Sequence, residues 1–396
     1  MKFTFWFSVI LIFYTYIGYA VILKIIVKSK RLLRSARNDE RTISDDLPTV
    51  SFIITARNEE GVIRKKLEDT LTLDYPKDKL EVIVASDASS DDTNRIVEEF
   101  EGVKLVRQDE HKGKTAVQNL AVSQASGDIL VFSDATTIYK KEAIRKLVRN
   151  FGDPNVGCVG GEEHFKRQVD GEWFTVNGKG IEEEASFFWK YEKYLRRRES
   201  EINSMIGVSG CIFAIRRELY EPLEESLIED FALPLIVNSR GFKVVCEEEA
   251  ICYENAAKDT GTEFSRKTRI VTGGINVLYK MKHLLNPIKY PLLSFQLFSH
   301  KILRWLSPLF LLGVFVSNLY LFEINRFYYL SYIAQLCFYG IALFGHITRA
   351  QEHTSTGAHL KIVRLIYHFC VMNFAAVLGF IRFLRGERRV VWQPVR

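Results

Sequence analysis

The 396-residue chain keeps most of its apolar residues apart from its polar ones, with apolar stretches at both ends. Residues 3–27 and 306–384 are rich in aliphatic and aromatic side chains, whereas residues 28–280 have the mixed composition of a soluble protein. About 20 apolar residues in a helix are enough to cross the ~30 Å core of a bilayer. The segregation therefore predicts a soluble domain placed between membrane-spanning segments.

The N-terminal apolar stretch ends in a run of basic residues: Lys24, Lys28, Lys30, Arg31, Arg34 and Arg37. No small-residue cleavage site precedes the run, which favours a retained anchor over a signal peptide. Because basic flanks stay on the cytoplasmic side, the following domain is expected in the cytoplasm, at the inner (plasma) membrane of the cell. Three further candidate spans follow near the C-terminus, at 306–322, 327–347 and 362–382. Alternating spans would place the C-terminus outside, whereas the basic tail favours the inside, and both topologies stay open.

These patterns predict six regions along the multi-pass chain. They are an N-terminal transmembrane anchor (1–27), a basic linker (28–47), a soluble domain (48–280), an amphipathic interface helix (281–304), a C-terminal transmembrane region of two to three segments (305–384) and a basic tail (385–396). An ordinary packing helix is the alternative for residues 281–304.

Charge and cysteine content exclude several function classes. The net charge of +6 is modest, and it fits anionic lipid headgroups, a nucleotide substrate or simply the basic flanks of membrane segments. No basic patch interleaved with aromatic residues indicates nucleic-acid binding. The six cysteines form no CxxC pair, which favours reduced thiols over a disulfide or metal framework.

The middle of the chain alternates between strand-like and helix-like patterns. Strands are predicted at 50–55, 81–86, 103–106, 128–134 and 208–215, and helices at 60–71, 92–99, 115–125 and from Asp230 to a C-cap at Gly241. The alternation predicts a mostly parallel sheet covered by helices. A further helical stretch, from Glu182 through Arg198, is expected to expose its charges to solvent.

Polar residues follow the predicted strands where ligands of such sheets bind, at the carboxyl ends. Asn58 and Glu59 follow the first strand, Asp87 the second and Asp134 the fourth. Asp87 can accept hydrogen bonds from a base and a ribose, and Asp134 can ligate Mg²⁺ or Mn²⁺. Turn formation and helix capping are the alternatives for both acids.

Charged residues further along suit a phosphorylated substrate. Lys112 and Lys114 flank a glycine but lack the upstream glycine of a Walker A loop, so they predict either a diphosphate contact or a solvated turn. Glu229 and Asp230 open a helix, where a carboxylate can deprotonate a hydroxyl or merely complement the helix dipole. Arg266 and Arg269, one helical turn apart, can clamp a diphosphate or flank a membrane.

The stretches around these residues, in this order, resemble the membrane-integrated family 2 glycosyltransferases, which include cellulose, chitin and hyaluronan synthases. The resemblance extends from about residue 47 to about residue 306 and covers TARNEE, SDASSDDT, HKGKTAVQN, FSDATTIY, VSGCIFAIRREL, IEDFALPL and RKTRIVTGG. It implies an α/β fold of the GT-A type, a mostly parallel sheet covered by helices and flanked by N-terminal and C-terminal transmembrane helices.

The resemblance also implies residue roles. Asp87 looks like the acid that holds the nucleotide, Asp134 like the first acid of the DxD metal motif, and Asp230, with Glu229 before it, like the catalytic base. Arg266 to Ile270 stand where processive synthases have QxxRW, but only Arg269 of that signature is kept. Thr136 stands where the second acid of DxD is usual.

The expected activity is inverting transfer of a sugar from a nucleotide-diphosphate donor to a lipid-linked or glycan acceptor, with a divalent metal. Donor-binding candidates are Asn58, Glu59, Asp87, Lys112, Lys114, Arg266 and Arg269. A processive polysaccharide synthase coupled to export is one alternative, which the incomplete QxxRW stretch disfavours. A non-catalytic membrane scaffold is the other, which the number of acids at strand and helix ends disfavours.

Overall fold

The computed structural model describes residues 1–34, 47–169, 172–175, 181–255, 260–348 and 358–387. The helices are α1 Lys2–Phe13, α2 Tyr19–Arg34, α3 Ile63–Leu71, α4 Thr93–Glu98, α5 Lys114–Ser123, α6 Ala143–Val148, α7 Ile181–Ile202, α8 Glu229–Ser239, α9 Thr260–Lys280, α10 Pro291–Gln296, α11 Leu303–Leu321, α12 Arg326–Ile347 and α13 Ala358–Leu384. The strands are β1 Val50–Ala56, β2 Leu80–Asp87, β3 Val103–Gln108, β4 Ile129–Asp134, β5 Ile138–Tyr139, β6 Val156–Val169, β7 Glu172–Thr175, β8 Phe213–Arg216 and β9 Lys243–Asn255.

Within the described residues the strands form one nine-stranded sheet in the order β3-β2-β1-β4-β8-β6-β9-β5, with β7 paired to β6. Strands β1 to β4 are mutually parallel, and β6 and β9 run the same way because β6 is antiparallel to β8, which is itself antiparallel to β4. Only β5, β7 and β8 run in the opposite direction. The predicted mostly parallel α/β sheet is confirmed.

The central strands are buried on both faces, which explains their continuous apolar sequences. All seven residues of β1 are buried. Because side chains alternate between faces, Ile53 and Phe132 join one core cluster, whereas Phe52 and Val131 join the other. The loops at the carboxyl ends of the central strands therefore extend from a sheet that is packed on both faces.

The predicted strand at 208–215 is shorter than expected, since β8 begins only at Phe213. Residues 209–212 make a tight turn instead, closed by a bond from the N–H of Ile212 to the carbonyl of Ser209. The helix expected from Asp230 is present as α8, and Gly241 follows it with φ +86°, the left-handed conformation of a glycine C-cap.

Four helices of the described chain are long and apolar enough to cross a membrane: Lys2–Lys30, Pro291–Leu321, Arg326–Ile347 and Ile362–Leu384. The expectation of apolar helices on both sides of the α/β domain is confirmed. Helical backbone continues from Pro291 to Leu321, with a wider π-type turn at Leu297–Ile302. The predicted boundary between interface helix and membrane region, at residue 305, therefore lies inside one continuous helix.

Buried polar contacts join the N-terminal helix to the soluble domain. Tyr19 donates a hydrogen bond to Glu199 Oε1 (2.7 Å), and His300 Nδ1 lies 2.8 Å from the same oxygen. All three side chains are almost fully buried. Helices α1–α2, α7 and the helix from Pro291 thus meet at one carboxylate.

The expectation that the charges of the helix around Arg196 are solvated is wrong for part of its length. Only 13% of the Glu192 side chain and 19% of the Arg196 side chain are exposed. The helix from Pro291 packs against this face of α7 and supplies Lys301 and Arg304 as partners of Glu192. A local pattern of charges does not reveal that a distant helix will cover them.

Candidate active site

A lysine joins two of the predicted site acids at the carboxyl edge of the sheet. Lys114 Nζ lies 2.7 Å from Asp134 Oδ1 and 2.8 Å from Glu229 Oε1. Asp134 is the last residue of β4, Glu229 is the first residue of α8, and Lys114 is the first residue of α5. Three elements that are distant in sequence therefore place three charges in one cluster.

Local backbone features hold Lys114 in this place. Gly113 has φ +96°, a conformation that L side chains rarely adopt, and it turns the chain into α5. Thr115 donates a hydrogen bond to the carbonyl of Leu227 (2.8 Å), which ties the start of α5 to the segment before α8. Burial works to lower the pKa of Lys114, but the carboxylates of Asp134 and Glu229 outweigh it and raise that pKa well above its usual range. Lys114 is thus a permanent cation.

Asp230 lies beside this cluster in an environment that favours its protonated form. Burial, and then the negative charge of Glu229, raise the pKa of Asp230 to about 6, while the Lys114 cation works to lower it. The carboxylate packs against Gly210, where a Cβ would lie 3.2 Å from Asp230 Oδ2. A carboxylate with a pKa near neutrality is suited to accept a proton from a hydroxyl.

Asp87, at the end of β2, is fully buried, and the loop that follows β3 surrounds its carboxylate. Asp87 Oδ2 lies 2.7 Å from His111 Nδ1, and Oδ1 accepts bonds from the Gln108 side chain and from the backbone N–H groups of Lys112 (3.1 Å) and Gly113 (3.3 Å). In this structure Asp87 fixes the loop that leads to Lys114.

Asn58 and Glu59 lie in the loop after β1 and connect it to the loop after β2. Asn58 has φ +52° and accepts a hydrogen bond from the backbone N–H of Ser90 (2.8 Å). The backbone N–H of Glu59 donates to the hydroxyl of Thr93 (2.7 Å). These contacts fix the two loops that form the rim beside Asp87.

Lys112 does not join the cluster that contains Lys114. Its side chain is about half exposed and lies 3.7 Å from Glu110 Oε2. Its backbone N–H, rather than its ammonium, makes the contact with Asp87.

The two arginines of α9 have different surroundings. Arg266 Nη2 lies 3.8 Å from Glu163 Oε1 and 4.0 Å from Glu254 Oε2, so its charge faces those acids. Burial and then the charge of Arg266 lower the pKa of Arg269, while the carboxylates of Asp134, Glu229 and Asp230 work against this, so Arg269 interacts electrostatically with the site acids. The two cations are not a joint clamp in this structure.

Glu163 and Glu254 form a buried carboxyl pair that sequence reasoning missed. Burial and the neighbouring Glu163 raise the pKa of Glu254 well above its usual range, which favours the protonated form of Glu254. Ser209 donates to Glu163 Oε2 (2.7 Å), and the ligand atoms of Glu163, Cys211 and Glu254 lie within 4.8 Å of one another. The available signal was an acid inside an apolar strand, since Glu163 follows VGCVGGE on β6.

Lys66 is a second residue that the sequence analysis missed. Its ammonium is buried beneath the Asp134 turn, where it donates to the hydroxyl of Ser133 (2.7 Å) and the carbonyl of Thr137 (2.6 Å). Burial lowers the pKa of Lys66 to about 8. Its position on the apolar face of α3, one turn after Ile63, was the signal that it points inward.

Taken together, the edge of the sheet presents a carboxylate suited to general base catalysis, two cations suited to a diphosphate, and an acid at a strand end. The arrangement suits displacement at a carbon that bears a phosphorylated leaving group.

Comparisons with known proteins agree with this chemistry. Residues 51–223 match the profile described as glycosyl transferase family 2. The probable glycosyltransferase YdaM of Bacillus subtilis is 32% identical over 72% of this chain and 68% of its own length. Poly-beta-1,6-N-acetyl-D-glucosamine synthases of Staphylococcus aureus are 26% identical over 63% of this chain, which spans 60% of their length.

The fold also resembles that of a solved mannosyltransferase. PcManGT of Pyrobaculum calidifontis, determined in complex with GDP-Man and Mn²⁺, superposes with a TM-score of 0.69 over 96% of this chain and 99% of its own, at 20% identity. This likeness confirms the GT-A-type fold. The YdaM relationship, with the profile match, shows that the chain belongs to glycosyltransferase family 2.

Proposed function

We propose that the protein is a membrane-bound inverting glycosyltransferase that moves a sugar from a nucleotide-diphosphate donor to a lipid-linked or glycan acceptor in cell-envelope glycan synthesis. The observation that carries the proposal is the cluster of Lys114, Asp134 and Glu229, with Asp230 directly beside it. It combines a diphosphate-facing cation with a candidate base at the ligand-binding edge of the sheet.

In this mechanism Asp230 accepts the proton of an acceptor hydroxyl. The resulting oxygen forms a bond to the anomeric carbon from the face opposite the diphosphate, and the bond between that carbon and the diphosphate oxygen breaks. The electron pair of the broken bond leaves with the nucleoside diphosphate. Lys114 and Arg269 stabilise this added negative charge in a poorly solvated place, where fixed cations are most effective.

The residues present suit a divalent metal at Asp134. Its carboxylate is an oxygen ligand of the kind Mg²⁺ and Mn²⁺ prefer, and 22% of its side chain is exposed. When bound, the metal would neutralise charge on the diphosphate. The presence of Mn²⁺ with GDP-Man in the PcManGT structure supports this assignment without distinguishing Mg²⁺ from Mn²⁺.

The proposed place of action is the inner (plasma) membrane, with the catalytic domain in the cytoplasm, where nucleotide sugars are made. The four candidate spans support the membrane part of this proposal. The basic run from Lys24 to Arg37 supports the orientation.

Processive synthesis of a polysaccharide with export is a second candidate, which the similarity to poly-beta-1,6-N-acetyl-D-glucosamine synthases favours. Ile270, 40% exposed, stands where processive synthases have an acceptor-contacting tryptophan, and this favours limited addition. Sizing the product on a gel separates the two: limited addition predicts one sugar added, whereas processive synthesis predicts a ladder of long chains.

The experiment that tests the proposal uses the full chain in lipid nanodiscs. A panel of nucleotide sugars is screened for nucleoside-diphosphate release with membrane lipid extract, with Mg²⁺, Mn²⁺ or EDTA. We expect release from at least one donor, dependent on metal and stimulated by the extract. A protein that neither binds nor hydrolyses any donor in the presence of metal contradicts the proposal and favours a non-catalytic scaffold.

A further inference from the structure

Three cations surround a single carboxylate where the soluble domain meets the helix from Pro291. Arg304 Nη1 lies 2.7 Å from Glu192 Oε2, Lys301 Nζ lies 3.2 Å from Glu192 Oε1, and Arg196 Nε lies 3.6 Å from the same Oε1. We call Arg196, Lys301 and Arg304 the boundary cations. Between 19% and 25% of each of these side chains is exposed, so each keeps an accessible part.

Two further acids lie near the boundary cations. One is Glu199, which His300 links to Glu192 through contacts of 2.8 and 3.1 Å. Glu199 is also held by Tyr19, and the carboxyl group of Asp230 interacts electrostatically with Arg196 and Lys301. The exposed parts of the boundary cations can still accept a further anion, since guanidinium and ammonium groups have several donors each.

The boundary cations lie next to the proposed catalytic base. Lys301 Nζ is 5.8 Å from the centre of the Phe231 ring, and Phe231 follows Asp230 directly in α8. Arg196 and Lys301 also work to lower the pKa of Asp230, though less than Lys114 does. An anion held by these residues would therefore be close to the hydroxyl that Asp230 deprotonates.

The surroundings of the boundary cations combine charge with apolar surface. Trp305 packs edge-on against Phe231, with ring centres 6.5 Å apart, and Arg304 lies over the ring of Tyr191 at 5.4 Å. Lys301 and Arg304 belong to the helix Pro291–Leu321, one of the candidate membrane spans. A ligand that bears both a phosphate and a hydrocarbon chain matches this combination.

We propose that the acceptor is a membrane amphiphile that carries a phosphate near its acceptor hydroxyl, and that Arg196, Lys301 and Arg304 hold this phosphate. The assignment rests on the proposed glycosyltransferase function and names its acceptor class. Lys114 and Arg269 serve the donor diphosphate, so in this proposal two different sets of cations bind the two anionic substrates. A phosphodiester lipid headgroup and a diphosphate-linked lipid carrier share the required chemistry.

The test measures transfer in phosphatidylcholine nanodiscs that contain one added acceptor. The acceptors are phosphatidylglycerol, a polyprenyl-diphosphate-linked sugar, and a neutral glycosyl diacylglycerol. The variants are Arg196→Gln, Arg304→Gln and Glu192→Gln, and the matched control is Arg198→Gln, whose side chain pairs with Glu201 instead. Donor KM and metal-dependent donor hydrolysis without acceptor report on folding and on the donor site.

We expect wild type to use one of the two phosphate-bearing acceptors in preference to the neutral one. Loss of one charge-assisted contact raises acceptor KM about 10-fold or more in Arg196→Gln and Arg304→Gln, with donor hydrolysis retained. Glu192→Gln removes the negative charge that the boundary cations contact, so it is expected to lower acceptor KM. Arg198→Gln is expected to have the acceptor KM of wild type. The acceptor that wild type prefers shows whether the phosphate belongs to a phosphodiester lipid headgroup or to a diphosphate-linked lipid carrier.

Equal use of neutral and phosphate-bearing acceptors by wild type overturns the assignment. So does an unchanged acceptor KM in both arginine variants while donor hydrolysis persists. Failure of wild type to hydrolyse or transfer from any donor is a different result, because it contradicts the glycosyltransferase function on which the assignment rests.

Discussion

Lys114 Nζ lies 2.7 Å from Asp134 Oδ1, which places a permanent cation on the acid that was expected to ligate metal. The contact joins the start of α5 to the end of β4. It compensates a carboxylate that would otherwise repel both Glu229 and an incoming diphosphate. A metal held by Asp134, as proposed, would share this carboxylate with the Lys114 ammonium.

Replacing Lys114 tests two effects of its ammonium, one on the rate of transfer and one on metal affinity. Lys114→Gln is expected to lower kcat by about 10²-fold, the magnitude seen when one fixed stabilising group is removed from a reacting oxyanion. The same variant should bind Mn²⁺ more tightly without donor, because Asp134 and Glu229 lose their cation. Steady-state kinetics and titration calorimetry check the two effects.

The matched control for this change is Lys141→Gln, which removes an exposed lysine. Its kcat and its metal affinity should match those of wild type. A Lys114→Gln enzyme with wild-type kcat would contradict the role of this ammonium in charge stabilisation.

Gly210 leaves room for the proposed base. A methyl group in Gly210→Ala would lie 3.2 Å from Asp230 Oδ2 and 3.5 Å from its Cβ, which displaces the carboxylate. We expect a fall in kcat of about 10-fold or more with little change in donor KM, since small misplacements of a reacting group are costly. Gly152→Ala, where nothing lies within 4 Å of the added Cβ, is the control. Equal kinetics of the two variants would argue against a close fit at Gly210.

The pH dependence follows from the environment of Asp230. Its pKa of about 6, raised by burial and then by Glu229, predicts that kcat/KM falls below about pH 6 as the base becomes protonated. Glu229→Gln removes the neighbouring charge, so the acid limb should move to lower pH. The measurement is kcat/KM as a function of pH, from about pH 4.5 to about pH 8. An acid limb that stays in place or moves upward in Glu229→Gln contradicts the assignment.

The raised pKa of Asp230 also makes the stability of the folded protein depend on pH. The carboxyl of Asp230 has its ordinary pKa of 3.8 when unfolded and about 6 when folded, so the folded state binds its proton more tightly. The contribution of Asp230 therefore favours folding below both values and weakens as the pH rises from 3.8 to about 6. Its neutral form is the one the fold prefers.

The carboxyl pair of Glu163 and Glu254 predicts that Glu254→Gln and Arg266→Gln differ in their effects on thermal stability. Glu254→Gln imitates the protonated member of the pair and should leave thermal stability nearly unchanged. Arg266→Gln leaves the Glu163 carboxylate, 1% exposed, without its nearest cation, and should cost about 3 kcal/mol. Melting curves in detergent compare the two. If Glu254→Gln is as destabilising as Arg266→Gln, the protonation of Glu254 is wrongly assigned.

Local sequence patterns predicted much of the parallel half of the fold. The strand predicted at 103–106 is β3, Val103–Gln108, and the helix predicted at 92–99 is α4, Thr93–Glu98. These elements depend on short apolar runs and caps that the sequence displays directly. The same logic predicted that Asp134 lies at the carboxyl edge of the sheet. The contacts of Lys114 with Asp134 and Glu229 were not predicted, because they depend on how α5 and α8 pack beside that edge.

Long-range contacts could not be predicted in the same way. Glu163 and Glu254 are 91 positions apart, and their pairing depends on the alignment of β6 with β9 after two register shifts. The contact of Glu192 with Arg304 depends on where a membrane helix packs against α7. Neither relationship leaves a periodic signal within one segment of the chain.

The most direct test of the account is sugar transfer by purified Asp230→Asn protein, measured with the donor and acceptor that wild type uses. Asparagine keeps the shape of the side chain but cannot accept the hydroxyl proton, so transfer should fall by at least about 10²-fold while donor binding persists. The exposed Asp78→Asn should transfer at the wild-type rate. Wild-type turnover by a correctly folded Asp230→Asn protein would contradict the assignment of Asp230 as the base.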